Sequence, residues 1–327
     1  MDSSNNRKAA IKKLRSLIIS PKGEVEKFRA KIEDTFSSVF LPNNVECSRR
    51  DYGGVMCDML IPEMYTSGKV MIYIHGGSFV GGSSASYRSF AATLANASNC
   101  RVLVPDFRLP PAYSFPSGIE DLQSVFRSFF IQEEIECSLK NKKSDLNLTV
   151  AADSSGASLA FGVLQELPEK SFSRISTILL FSPWLDFSPD SYVFNRHAKD
   201  EVLNAEELRR AIEFYTYESN YSNPQISPLK MERDFISKFP PVYIQCGSRE
   251  LFLEQTKAFE DMLERCGVEC TLDVVDDMMF MFQLADEYLK ESHLAVNRIG
   301  EYLSQKSESE SERKERELIL KRNNVMD

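Results

Sequence analysis

Histidine is scarce in this chain, with three in 327 residues. Imidazole is the commonest protein metal ligand and the side chain that titrates nearest neutrality, so the scarcity leaves little room for a histidine-rich metal centre. Basic charge is also short: 39 Lys and Arg against 48 Asp and Glu give a formal charge of −9. That is the wrong sign for sequence-independent nucleic-acid binding, which rests on neutralising phosphates. The seven cysteines, Cys47, Cys57, Cys100, Cys137, Cys246, Cys266 and Cys270, are odd in number and follow no repeating spacing, so neither a disulfide framework nor a zinc pattern is expected. No apolar run nears the ~18 residues that span a bilayer, and residues 1–6 lack the cationic-then-apolar order of a secretory signal. Glycine and proline, at 14 each, are too few for a low-complexity or fibrous chain. What these absences leave is a reduced, cytoplasmic, globular protein with no metal and no cofactor, long enough to bury a large core.

Apolar patterning then organises the chain. Residues 7–19 carry Arg7, Lys8, Lys12, Lys13 and Arg15 around Ala10, Ile11, Leu14 and Ile18, the spacing of a basic amphipathic helix. It reads as a terminal helix docking its apolar face on the domain, with an anionic membrane surface as the other use of such a helix. Val45–Ser48 and Val55–Ile61, separated by Asp51-Tyr52-Gly53-Gly54, read as an antiparallel pair. Short apolar runs then alternate with helical stretches: strands at Val70–Ile74, Val102–Val104, Leu148–Ala152, Ile178–Phe181, Val242–Gln245 and Leu272–Val275, helices at Tyr87–Ala97, Gly118–Ile131, Ser158–Leu167, Leu253–Cys266 and Leu284–Leu303. Near-continuous apolar strands with helices between them predict an α/β fold, a mostly parallel twisted sheet with helices on both faces.

Residues 187–239 interrupt that rhythm as a long helical and irregular insert, the usual signature of a lid or helical cap. The expected organisation is therefore an N-terminal helical segment at 1–40 joining the cap, a core at 41–186 and 240–304, a cap insert at 187–239, and a charged tail at 305–327. The tail, almost without apolar residues until Leu318, reads as a solvated or disordered extension or at most a frayed helix.

The strongest local signal is Ala151-Ala152-Asp153-Ser154-Ser155-Gly156-Ala157, directly after a strand and before a helix. On so sharp a turn Ser154 is pushed out above the sheet edge, small residues at 152 and 156 avoid collisions, and the helix N-terminus favours nearby negative charge. A second signal is Ile74-His75-Gly76-Gly77-Ser78-Phe79-Val80-Gly81-Gly82, glycine-rich backbone at a strand end that can aim N–H groups at a developing oxyanion. It lacks the G-K-[ST] of a nucleotide loop, and His75, at its start, reads as structural.

With both motifs in hand the sequence resembles the hormone-sensitive-lipase-like family of α/β-hydrolases, of the α/β-hydrolase fold-3 type, over roughly residues 45–303. Asp106-Phe107-Arg108-Leu109-Pro110-Pro111, with Phe115-Pro116 following, is similar to the family's D-Y-R-L-A-P-E segment, with Ala112 in place of its glutamate. Ser182-Pro183-Trp184-Leu185-Asp186 and Ser227-Pro228-Leu229 are similar to segments flanking the cap, and Pro240-Pro241-Val242 to the entry of the acid-bearing strand. The resemblance implies Ser154 as nucleophile and the backbone N–H groups of Gly77, Ser78 and Ser155 as oxyanion donors, with His75 and Gly76 in the supporting loop. Ser78 stands where the family has a third glycine. Glu250, in Gly247-Ser248-Arg249-Glu250-Leu251-Phe252, matches the acid, and the order Ser…Glu fits.

The third member is missing. The family's G-M-x-H-x-F segment is here Asp277-Met278-Met279-Phe280-Met281-Phe282, with Phe280 where the base should be, and phenylalanine accepts no proton. Without that base the hydroxyl is not activated and the leaving group is not protonated; removing the histidine of a well-characterised serine hydrolase lowers turnover ~10⁶-fold. Replacements are few. His293 is expected roughly 20 Å further along the chain at helical rise, His197 belongs to the cap insert, and Asp276 and Asp277 are weak bases in water.

Two functions follow. The first is a serine carboxylesterase/lipase-type hydrolase of small acyl or acetyl esters, catalytically impaired. The second is a non-catalytic pseudoenzyme holding a hydrophobic small molecule under the cap. With Phe280 instead of an imidazole beside it, Glu250 is expected to titrate above the ordinary glutamate range unless Arg249 or water compensates.

Overall fold

Eight strands form one sheet. In chain order they are β1 (Val45–Tyr52), β2 (Val55–Pro62), β3 (Lys69–Ile74), β4 (Arg101–Pro105), β5 (Asn147–Asp153), β6 (Ile175–Phe181), β7 (Val242–Gly247) and β8 (Cys270–Val275). They lie in the spatial order β1-β2-β4-β3-β5-β6-β7-β8. β1 pairs with β2 and β2 with β4 antiparallel; every pair from β4 to β8 is parallel. The structure, a computed structural model, describes residues 3–37, 41–42, 44–141, 143–195 and 200–323, with side chains from Ser4 to Lys306. The sheet is thus mostly parallel, as the apolar patterning predicts.

The strands form where β-branched and aliphatic residues run uninterrupted. β3 and β5 in the middle are buried on both faces, from Val70 to Ile74 and from Leu148 to Asp153, which requires helices above and below. α1 (Ser3–Leu14) and α2 (Val25–Phe36) precede the sheet; α3 (Ser84–Ser98), α4 (Ser117–Leu139), α5 (Ser155–Glu166), α6 (Ala205–Tyr215), α7 (Leu253–Arg265) and α8 (Lys290–Asn323) follow in turn, with single helical turns between some of them. α3 begins with Ser83 and Ser86 capping each other's amides, which satisfies two of the donors a helix start leaves open. α6 begins at Asn204, whose side chain accepts from Glu206 and Glu207.

Three sequence expectations shift. The last helix begins at Lys290, not Leu284, because Phe282–Leu284 is a 3₁₀ turn after a left-handed Met281. The backbone of residues 305–323 continues that helix, so the charged stretch is helical where its composition pointed to a solvated or frayed extension; mixed Glu, Lys and Arg at three- and four-residue spacing are compatible with helix. The N-terminal region holds a second helix, α2, whose Phe28, Ile32 and Phe36 are buried. Within the insert between β6 and β7, α6 is the longest helix among the described residues.

A test of this packing is Ile178→Ala. Ile178 sits on β6 between Val150 and Val242 and is fully buried, so the cavity should lower stability by about 3 kcal/mol, read as a lower urea midpoint at unchanged slope.

Candidate active site

Parallel pairing brings the C-terminal ends of β3, β5, β6, β7 and β8 to one edge of the sheet. That edge is where open α/β sheets bind ligands, and the segments leaving it carry His75–Gly77, Ser154, Ser182, Gly247–Glu250 and residues 276–281 respectively.

Ser154 joins β5 to α5 at φ 48°, ψ −123°, a conformation that costs a non-glycine residue roughly 1–3 kcal/mol. Its amide donates to Phe181 O, and its carbonyl accepts from Ala157 and Trp184 at 3.2 and 3.0 Å. The turn is held against the loop after β3 through bare backbone: a Cβ on Gly156 would lie 2.3 Å from Ile74 O, and one on Gly76 would lie 2.9 Å from Ser154 Cβ. Asp153, buried beside it, accepts from Tyr73 Oη and Gly76 N, both at 2.8 Å, and from Tyr87 Oη at 3.3 Å. Burial pushes its carboxyl up to about 7 against the downward pull of those three donors.

The loop after β3 turns through three successive positive φ values, 98° at Gly77, 55° at Ser78 and 63° at Phe79. Gly81 N closes it onto Gly77 O at 2.9 Å, and Phe79 N donates to Ser155 Oγ at 3.1 Å. Among the described residues the amides of Gly77, Ser78 and Ser155 donate to no protein acceptor. His75 is buried and stacked between Tyr87 and Phe107, with centroids 5.1 and 4.5 Å away. Its Nδ1 bonds Gly76 O at 2.9 Å, and burial lowers its pKa, which keeps the ring neutral and structural.

Glu250 follows β7. Its Oε2 accepts from Ser182 Oγ at 2.8 Å and Gly247 N at 3.0 Å, while Oε1 is buried with no partner among the described residues. Burial pushes the carboxyl up to about 8; the Gly247 amide and Ser182 hydroxyl oppose this, and Asp200 nearby adds to it. Arg249 does not compensate, since its guanidinium pairs with Asp277. The segment after β8 runs directly against this turn: Arg249 N donates to Met278 O and Met281 N to Ser182 Oγ, at 3.0 and 3.1 Å. Phe280, 1% exposed, packs its ring edge-on to Phe252 at 5.6 Å.

The other candidates for a base stand apart. His293 is exposed on α8 beside a small cavity that Lys13 and Phe36 also line. Asp276 accepts from Ser248 Oγ, and Asp277 pairs with Arg7 and Arg249, both on the surface. His197 lies outside the described residues. Among the described residues no imidazole or carboxylate hydrogen-bonds to Ser154 Oγ. No cluster of three or more His, Cys, Asp or Glu there could hold a metal, and no helix is long and apolar enough to cross a membrane.

With this geometry in place, similarity to known proteins is specific. A family described as alpha/beta hydrolase fold matches residues 71–284, and the chain belongs to it. An acetyl-hydrolase of Streptomyces hygroscopicus is 28% identical over 237 residues, 72% of this chain and 75% of that protein. An esterase of Acinetobacter venetianus is also 28% identical, over 72% and 74%. A crystal structure of an esterase from the bacterial hormone-sensitive lipase family superposes with a TM-score of 0.79 at 25% identity, covering 94% of this chain and 99% of that one. The chain is thus a hormone-sensitive-lipase-like α/β-hydrolase.

The sequence reading did not single out Asp153, Ser182 or Asp200. Asp153 and Ser182 were legible in principle, as polar residues at the very ends of otherwise apolar strands. Asp200, which accepts from Leu251 N at 2.8 Å and from Val202 and Leu203 N, had no local signal.

Two measurements follow. Gly156→Ala should lower the melting temperature markedly, since its Cβ has two backbone carbonyls in the way. For Glu250 the folded value of about 8 lies above the ordinary carboxylate range of the unfolded chain, so the native state holds a proton that the unfolded state has released. Stability therefore falls as pH rises from about 4.5 to about 8. Glu250→Gln should flatten that decline in urea titrations at several pH values, most clearly between pH 7 and 8, leaving the slope of the other buried carboxyls that are raised, Asp153 up to about 7 together with Asp200 and Glu207.

Proposed function

We propose that this chain is an ester hydrolase of the serine carboxylesterase/lipase type, fitted to small acyl or acetyl esters, whose turnover is strongly impaired because Phe280 occupies the position of the base. Ser154 is the nucleophile, Glu250 the acid, and the amides of Gly77, Ser78 and Ser155 the oxyanion donors; residues 187–239, with the N-terminal segment, form the cap. The observation that carries the reading is Glu250: a buried carboxyl held on one oxygen by Ser182 and Gly247, with the other oxygen unpartnered among the described residues, as suits an acid made to face an imidazole N–H. Three amides free to receive an oxyanion support the rest. The names of the acetyl-hydrolase and the esterases it resembles support the substrate class.

In such a site the amides would take up the oxyanion charge as Ser154 Oγ attacks the acyl carbon, but with no base among the described residues bonded to that hydroxyl, solvent water would have to accept its proton and supply one to the leaving alcohol. Residual turnover would rest on binding and the oxyanion hole alone, ~10³–10⁴ over water.

A second reading, a pseudoenzyme that binds a hydrophobic molecule under the cap, is favoured by one observation. Tyr215 stacks flat on Phe79 at 4.0 Å, and its hydroxyl is buried with no partner among the described residues, as suits a group awaiting a ligand.

Hydrolysis of p-nitrophenyl acetate and butyrate separates these. Wild type should turn over slowly or not at all, and Phe280→His should gain activity that Ser154→Ala abolishes. Robust wild-type turnover lost in Ser154→Ala would mean another base operates and Phe280 is no impairment. Silence in every variant, with saturable binding of an apolar ester analogue, would favour the pseudoenzyme.

A further inference from the structure

Ser78 replaces a glycine expected at the third position of the loop, and it does so at φ 55°, where a side chain is disfavoured relative to glycine. That strain has a counterpart. Ser78 Oγ donates to Leu17 O at 3.1 Å and accepts from Ile19 N at 3.4 Å, so one hydroxyl bridges two backbone groups of the N-terminal segment. All three residues are buried; Ile19 is fully so and Leu17 is 2% exposed.

The contact is continued along the loop by neighbouring residues. Arg29 donates to Val80 O at 2.7 Å and to Pro110 O at 2.8 Å, and Ser83 Oγ donates to Glu33 at 2.7 Å. Gly81 has no room for a Cβ because Phe28 and Ile32 of α2 would lie 2.7 and 2.8 Å from it. Ser78, Val80, Gly81 and Ser83 are thus each in contact with residues 17–33. Farther out, Arg7 pairs with Glu201 and Asp277, Lys13 with Glu287, and Arg15 with Glu207, which anchors the same segment across the edge of the site.

We infer that the N-terminal segment completes the oxyanion loop of this protein: Ser78 is a positioning residue whose hydroxyl, clipped between Leu17 O and Ile19 N, holds the loop in the left-handed turn that aims its amides at Ser154. Serine here is not a weakened glycine. It exchanges conformational ease for a tether, and the loop's geometry depends on a segment some 60 residues earlier in the chain.

The inference rests on the oxyanion assignment above, and its test is separable from that assignment. Hydrogen exchange followed by mass spectrometry on the full chain, wild type against Ser78→Ala and Ser78→Gly, reads the clip without any need for turnover. In both variants amides at 16–20 should exchange roughly tenfold faster, since two buried hydrogen bonds are lost, and peptides over 76–80 should loosen with them. Glycine accepts a φ of 55° without strain, so Ser78→Gly keeps the test decisive should Ser78→Ala fail to fold.

In a Phe280→His background, Ser78→Ala should lower kcat roughly tenfold with KM within twofold, the mark of a contact that matters in the transition state. Unchanged exchange at 16–20 in Ser78→Gly, whatever its stability, would overturn the inference, because Ser78 would then be a strained residue with no tether. An inactive Phe280→His would count against the base assignment alone; the exchange result would still decide the clip.

Discussion

The bare-backbone contact between the turn after β3 and the turn after β5 is the constraint from which the site follows. Gly76 and Gly156 leave no space for a methyl group, so the two turns sit against each other with Asp153 threaded between them. Asp153 takes the Gly76 amide and two tyrosine hydroxyls. It thereby fixes one glycine-rich loop relative to one strained serine, and both are fixed relative to the sheet because each begins at the end of a central, fully buried strand. The positive φ of Ser154 persists because everything around it is packed to that shape.

The remainder of the site is a second layer on that contact. Ser182, at the end of β6, accepts from Met281 N and donates to Glu250, which ties three neighbouring strand ends into one unit. In that unit one carboxyl oxygen is held by two donors and the other has no partner among the described residues. Phe280 fills apolar space against Phe252, and burial dominates the carboxyl's titration.

Much of this was legible in the sequence. β3 to β7 are visible as short apolar runs because strands inside a parallel sheet are buried on both faces and tolerate little else, whereas β1, largely polar and exposed, shows only through the Gly53-Gly54 turn that pairs it with β2; Ser154 and Glu250 follow strand ends that the apolar runs reveal. Gly76 and Gly77 are visible for the same reason. The tethers are different. Nothing near Ser78 predicts Leu17 and Ile19, nothing near Arg7 predicts Glu201 and Asp277, and Asp200 reaches Leu251 across some fifty residues; such pairings depend on the finished fold. Helix ends were also harder to place: at Leu284, where helical spacing begins, a left-handed Met281 leads into a 3₁₀ turn and the last helix starts only at Lys290, and composition does not announce a left-handed methionine.

The ion pairs of the N-terminal segment have a bearing on how the chain is made. Arg7, Arg15 and Lys13 meet partners 194, 192 and 274 positions further on. At typical synthesis rates of 5–20 residues per second, roughly 10–55 s separate the appearance of each cation from that of its carboxylate. Throughout that interval Leu14, Leu17 and Ile32, all buried at the end, have no finished surface on which to dock. The segment therefore exists well before the surfaces it docks on, and its apolar strip stays uncovered until residues near 287 have been made.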